Sequence, residues 1–545
     1  MMNKKIFFIL TIIILIASIL RLWKLDGVPI SPDWDEVSLG YNAYSILQTG
    51  KDEYGQFLPV VLRSYDDYKP ALYAYFAIPP VAVFGLNVFA VRLPSAIFGI
   101  LTVLATYFLV KELFKRNDVA LISSFLLAIS PWHIQFSRIA FESNVGLAFN
   151  VFTILFFLKG LKKPWFLALS SFLAGVNIYI YQSEKVFTPL MILALAIIYR
   201  NKLFSLPRKY IFTSLIIGFF IILPMLNFTL SNKNSLERAK RVSIFSQNNK
   251  ILESNSIKIL EDTNSHDLLG LIIDNRRFSY AKEIISGYLS HFDLNWFFTR
   301  GDIARHHAVN MGLVYLFEFP FILIGIYSLL FGSFDKKTKL AIFAWFLIAP
   351  IPASITTGVP HAVRTLNFLP TFQIFISLGI LSFLSKIRYT KYMLRFSIYT
   401  LFSILAIYNV FYYLDQYFVQ QNYFVAKEWQ YGYADAVPTV KKIEGNYKKI
   451  VVSNQPPMDQ SYMFFLFYLN YPPQTYQKDG QYSSGGFREN HTFGKFEFRP
   501  IEWNKEEKSD TLFVGRPTDF PVDISLKKEV FYPDGNSAMK VITKY

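Results

Sequence analysis

Carboxylates crowd one stretch of this chain. Between Pro32 and Pro70 stand Asp33, Asp35, Glu36, Asp52, Glu53, Asp66 and Asp67, with Lys69 near the end. The stretch follows a very apolar segment, Phe7–Leu20. Acids in a polar loop pinned at a membrane surface suit general-base chemistry, taking the proton of an attacking hydroxyl. Asp35 and Glu36 are the first candidates, although acids at that place also cap helices or sit in a solvated loop. Lys69, in DDYKPALYAY, lies where the chain enters another apolar run. There it either holds a lipid phosphate as a point charge or snorkels at an interface.

Other ionisable residues occur at comparable places. Arg138 and Glu142 are spaced for a local helical ion pair, or else face a ligand. Arg364, in PHAVRTLNFLP, and Lys185, in YQSEKVFTP, either anchor an interface or clamp an anion. The seven histidines show neither HExxH nor another metal spacing. No metal ligands and no cofactor are assigned from them, and a divalent metal stays open. With no cysteine, disulfides, thiolate metal sites and thiol catalysis are excluded. Neither GxGxxG nor a Walker loop is present, and no repeat runs at a fixed period.

The elements that must position these residues are membrane helices. The 545 residues are 52% hydrophobic and 18% aromatic, with mean hydropathy +0.29, too apolar for an ordinary soluble protein. Spans are expected near 6–23, 88–110, 118–132, 144–160, 164–182, 186–200, 210–229, 311–332, 338–356, 364–385 and 395–414, about eleven in all. Leu72–Phe84 is a short or re-entrant extra element. The N-terminal apolar core is too long for a cleaved signal and reads as the first span. Lysines and arginines recur in six places: at Lys4–Lys5, Lys111–Arg116, Lys159–Lys163, Arg200–Lys209, Lys336–Lys339 and Lys386–Arg395. With eleven spans all six fall on one side, the cytoplasmic side by the positive-inside rule. This accounts for the net charge of +16 without nucleic acid. The acidic loop 24–87, the segment 230–310 and the tail then share the extracytoplasmic side. Glu36–Leu47 is expected as an amphipathic helix lying on the membrane surface, capped by Asp33 or Asp35. In the tail, Ala434–Ile443 reads as a helix. Lys449–Val452, Leu512–Val514 and Glu529–Tyr532 read as strands, and Tyr462–Tyr468 as a helix or strand, suggesting a small α/β domain.

Five pieces carry a family resemblance: DE at Asp35–Glu36, KPAL at Lys69–Leu72, FAVRLPSAIFG at Phe89–Gly99, SRIAFES at Ser137–Ser143 and VRTLNFLP at Val363–Pro370. Over roughly residues 20–385 the chain resembles the polyprenyl-phosphate-sugar glycosyltransferases of the GT-C fold. It is most similar to the protein O-mannosyltransferase and lipid A aminoarabinose transferase families. Ala71 replaces a second proline, Glu142 stands where aspartate is commoner, and the tail has no match to a beta-trefoil insert. The resemblance implies a mainly α polytopic membrane protein. Residues 1–418 would form the GT-C domain, including loops 24–87 and 230–310, and residues 419–545 an extracytoplasmic α/β domain. It implies a polyprenyl-phosphate-linked sugar as donor and a glycan, lipid or protein as acceptor, with inversion at the anomeric carbon. Asp35, with Glu36, would be catalytic. Lys69, Arg138 and Arg364 would bind the donor phosphate, with Glu142 and Lys185 as further candidates. The implied place is the plasma (inner) membrane, with the N-terminus in the cytoplasm. A lipid-linked sugar flippase or transporter, and a non-catalytic envelope assembly protein, are the alternatives. A transporter would be marked by ionisable residues within spans or by two related halves.

Overall fold

A computed structural model of the protein describes residues 3–65, 67–232, 241–245, 250–479, 489–506, 510–521, 524 and 526–544; Asp66 lies outside them, as do parts of the expected 230–310 loop. The first half of the chain runs α1 (Lys4–Leu22), α2 (Trp34–Thr49), a hairpin of β1 (Val61–Ser64) and β2 (Asp67–Pro70), then α3 (Leu72–Phe84), α4 (Val88–Phe114), α5 (Asn117–Ile129), α6 (Pro131–Ser137), α7 (Glu142–Gly160), α8 (Phe166–Asn177) and α9 (Glu184–Ile198). Further helices cover Arg208–Ser231, Phe319–Phe331, Lys336–Ile348, Thr371–Ile387 and Tyr392–Asp415. Each of the eleven expected segments therefore contains a helix, although 311–315 of the segment 311–332 is not helical. Six described helices are long and apolar enough to cross a membrane, or seven if α5 and α6, bent by 58°, form one span. The others are short. Thirteen residues rise only about 20 Å, against a hydrocarbon core of about 30 Å.

Helices in lipid associate through close packing. Phe319–Phe331 and Thr371–Ile387 do so through a reciprocal glycine contact. A Cβ on Gly325 would lie 1.8 Å from the Phe375 carbonyl oxygen, and one on Gly379 would lie 2.0 Å from that of Phe321. Only hydrogen at both positions lets these backbones touch.

The basic loops meet at one end of the bundle. Lys115, Lys162, Lys202 and Lys337, from four of the expected cytoplasmic loops, line one pocket. Glu112 in the last turn of α4 pairs with Lys115 and Lys162. Arg92, in the first turns of the same helix, faces the acidic loop instead. Arg92 and Glu112 lie about 30 Å apart along the axis of α4, the thickness of a bilayer core.

At the acidic end α2 departs from the expected surface helix. Every residue from Glu36 to Ala43 is buried, as are Ser45 and Ile46. One side packs on α3 and α4, and the other is covered by the C-terminal region. Gly40 is pinched between the two: a Cβ there would meet Val91 of α4 at 2.6 Å and Phe467 of helix Ser461–Leu469 at 2.8 Å. Behind it stands a six-stranded sheet in the order β4 (His491–Phe493), β5 (Phe496–Phe498), β3 (Lys449–Val452), β6 (Thr511–Gly515), β8 (Ser537–Thr543) and β7 (Leu526–Phe531). β3 runs parallel to both neighbours, and the other pairs are antiparallel. Tyr462–Tyr468 is helical, and Phe465 packs edge-on to Phe496 and Phe498. One apolar core runs without a break from the bundle through α2 into this sheet.

Candidate functional site

The acidic cluster is set by how α2 begins. Asp33 caps the helix, its Oδ1 accepting from the backbone N–H of Asp35 (2.9 Å) and Glu36 (3.0 Å). Glu36 reaches back to the Asp33 N–H at 3.2 Å, completing a capping box. This geometry turns the neighbouring acids apart. Glu36 points into the protein, where Arg92 donates to both its oxygens (2.8 and 2.9 Å) and the Ala140 N–H donates to Oε1 (2.8 Å). Arg92 also donates to the carbonyls of Leu25, Pro29 and Ser31. A buried carboxylate so fully used is a structural hub.

Asp35 faces the other way, into a cavity of about 160 Å³. Its partner there is Lys69, with which it forms a close ion pair. Lys69 sits on β2, opposite Leu62 of β1, its ammonium 5.7 Å from the Tyr65 ring. Burial lowers the affinity of Lys69 for its proton, but the charges of Asp35, Glu142 and Asp67 outweigh it and raise the pKa. The lysine is a fixed cation. Trp34 is anchored from both sides: its N–H donates to Gln430 (3.1 Å), and its carbonyl accepts from the Tyr65 hydroxyl (2.7 Å).

The cavity gathers residues from every loop expected on the acidic side. The opening loop supplies Asp35 and Lys69, the second Glu142, the third Tyr181 and Gln182, the fourth Arg305 and His306, and the fifth His361 and Arg364. Arg305 stacks over Trp34 at 4.1 Å and donates to Asp33 at 3.0 Å. Arg364 donates to the Thr356 hydroxyl (2.6 Å) and the Thr357 carbonyl (2.8 Å). Behind the histidines, Asp302 accepts from the Ala362 N–H at 2.6 Å and meets His306 Nδ1 at 2.9 Å. Burial pushes the Asp302 carboxyl up, but His306 and the Ala362 N–H overcome it and hold it at about 2. Burial, aided by Arg364, keeps His361 neutral.

Of the residues singled out from the sequence, Asp35, Lys69, Glu142 and Arg364 share this cavity, and Glu36 and Arg138 do not line it. Arg138 is buried, donates to the carbonyls of Leu20, Lys24 and Val28, and lies 4.8 Å under Phe418. That arrangement fixes the entry to the acidic loop. Lys185 is half-buried in the first turn of α9, beside Glu184, which binds Asn150 and Asn367 inside the bundle. Asp302, Arg305, His306 and His361 were not singled out as site residues, because no local spacing links positions so far apart in sequence. Arg305 carried one signal: a cation in the only loop that pairs two adjacent histidines, His306–His307.

Residues 68–228 match the family model described as dolichyl-phosphate-mannose-protein mannosyltransferase. No curated protein matches the chain. Among solved structures, ArnT from Cupriavidus metallidurans bound to undecaprenyl phosphate superposes with a TM-score of 0.57 at 10% identity, over 97% of each chain. The oligosaccharyltransferase AglB from Archaeoglobus fulgidus, in complex with an inhibitory peptide and a dolichol-phosphate, gives 0.51 at 13% identity, over 85% of this chain. The present chain spans 63% of the length of that archaeal protein. The matched family segment opens at Tyr68, immediately before KPAL, and takes in FAVRLPSAIFG and SRIAFES. In fold, and in the segment that carries Lys69 and Glu142, the chain is similar to the GT-C glycosyltransferases.

Proposed function

We propose that this protein is a membrane glycosyltransferase that moves a monosaccharide from a polyprenyl-phosphate donor to an acceptor on the extracytoplasmic face of the plasma (inner) membrane. The observation that carries this reading is the single cavity in which Asp35, Lys69, Glu142, Arg305 and Arg364 meet, drawn from four separate loops. Two carboxylates beside several cations, close to a bundle end, suit a phosphate leaving group and a proton to be removed.

The donor phosphate would lie against Lys69, with Arg305 and Arg364 on its far side. Drawing Lys69 toward phosphate loosens its pair with Asp35 and frees that carboxylate. The acceptor oxygen or nitrogen then bonds to the anomeric carbon as the bond from that carbon to the phosphate oxygen breaks. The proton goes to Asp35, polyprenyl phosphate leaves, and the configuration inverts. A phosphate leaves readily, so positioning and charge stabilisation supply most of the rate. Glu36, bound to Arg92, would act by holding α2 in place. The tail that covers α2 would frame the acceptor side. The acceptor would be a glycan, lipid or protein.

Proteoliposomes of the purified protein, given a labelled polyprenyl-phosphate sugar and an envelope extract, test the reading. Label should enter an acceptor as free polyprenyl phosphate appears mole for mole. Movement of intact labelled lipid between leaflets, with no cleavage, would instead make the protein a flippase.

A further inference from the structure

His306 and His361 line the cavity, and Asp302 stands behind them. One donor atom from each lies within 4.8 Å of the other two. His306 and Asp302 are one helical turn apart in sequence, while His361 arrives from the far end of another loop. Two further observations set this trio apart from an ordinary buried cluster. The Nδ1 atom of His361 is buried and has no hydrogen-bond partner among the described residues. Buried polar atoms are normally paired, so such a nitrogen calls for a missing partner. The trio is also braced from behind. The Ala362 N–H fixes Asp302 at 2.6 Å, and the His361 N–H donates to His291 Nε2 at 3.2 Å. His291 Nδ1 is itself held on the Gly287 carbonyl at 2.7 Å. Outer contacts of this kind orient metal ligands.

We propose that Asp302, His306 and His361 form a binding site for a divalent metal of the zinc type, with its open coordination position facing the cavity. Two imidazoles and one carboxylate suit zinc, whereas magnesium and calcium favour sites built wholly from oxygen. Three protein ligands leave a fourth position free, as in zinc sites that hold a water or a substrate oxygen. Zinc bonds of about 2.0–2.2 Å require donors about 3.3–3.6 Å apart, so the side chains close slightly around the ion. Asp302 supplies negative charge at the ion itself, and Arg305 is paired with Asp33. Arg305 and Arg364 would in turn draw an anionic oxygen to the open position. Metal binding itself does not rest on the transferase reading; only the identity of that oxygen does.

Direct metal measurement on the full chain decides the matter. Protein purified in detergent is stripped with a chelator and titrated with zinc, and the bound metal is counted by mass spectrometry. About one zinc per chain is expected, with a rise in melting temperature, since a ligand held only by the folded state stabilises it. His361→Ala and Asp302→Asn should each weaken binding at least about tenfold, while His266→Gln, an exposed histidine elsewhere, should change nothing. Melting of the metal-free variants shows whether they fold, and His306→Gln replaces any that does not. Wild-type protein that takes up no zinc, or prefers magnesium, overturns the proposal. So does a folded His361→Ala or His306→Gln variant that binds zinc as tightly as wild type. Sugar transfer is not read in this experiment, so either result leaves the transferase reading standing.

Discussion

Neighbouring acids on one helix turn have opposite surroundings here. Asp35 meets a lysine at the edge of a cavity, while Glu36 is locked onto Arg92 inside the protein. Their types were visible in the sequence, and so was the pairing of a carboxylate with Lys69 as a candidate site. Which of the two faced the cavity was not, because the capping box at Asp33 decides it. A third acid, Glu53, gives a prediction of its own. It is buried, Asn42 donates to its Oε1 at 3.1 Å, and its Oε2 has no hydrogen-bond partner among the described residues. Burial raises its pKa from 4.5 to about 8, with Asp52 adding to the rise. The folded state thus favours the protonated acid. Its stability is full below pH 4.5 and falls as pH rises through 8. Glu53→Gln should remove that fall, gaining on the order of 1–3 kcal/mol over wild type between pH 5 and pH 8. Denaturant melts of both proteins in detergent at the two pH values check this. Equal pH dependence would show Glu53 ionised throughout.

At the scale of elements, hydropathy read the helices well and their environments less well. Each of the eleven apolar segments contains a helix, and Lys449–Val452 is a strand with the expected ends. The missing information was tertiary. α2 was expected on a membrane surface, since its apolar spacing shows one face only. In the folded chain the tail covers the rest, with Gln477 donating to Ser45, Thr49 and the Asp52 carbonyl. Gly40 lies between that tail and α4, with no room for a side chain. Gly40→Val should cost about 1–3 kcal/mol through overpacking against Val91 and Phe467. The same change should lower sugar transfer, because the start of α2 carries Asp35. A variant with normal melting and normal transfer would show that the tail rests on α2 without constraining it.

For the molecule as a whole, charge pattern was the most informative sequence feature. Four of the six basic clusters meet at one pocket, and five loops expected on the other side meet at one cavity. The class of the matching family model is the class that DE, KPAL and SRIAFES resemble. His361 was weighed only among the seven histidines and was not linked to Asp302, because only folding brings them together. Orientation across the bilayer follows from the lysines and can be tested simply, as the chain has no cysteine. Single cysteines at Glu428 and Lys202, both exposed positions, give a clean pair of reporters. An impermeant maleimide applied to spheroplasts should label the first and not the second. The reverse pattern would turn the protein over.

Sugar transfer by Asp35→Asn protein is the most direct test. The substitution keeps shape and removes the base, so the variant should melt like wild type while turnover of a polyprenyl-phosphate sugar falls at least about a hundredfold. Turnover within about twofold of wild type, in a folded variant, would contradict the assignment of Asp35 as base and with it the proposed mechanism.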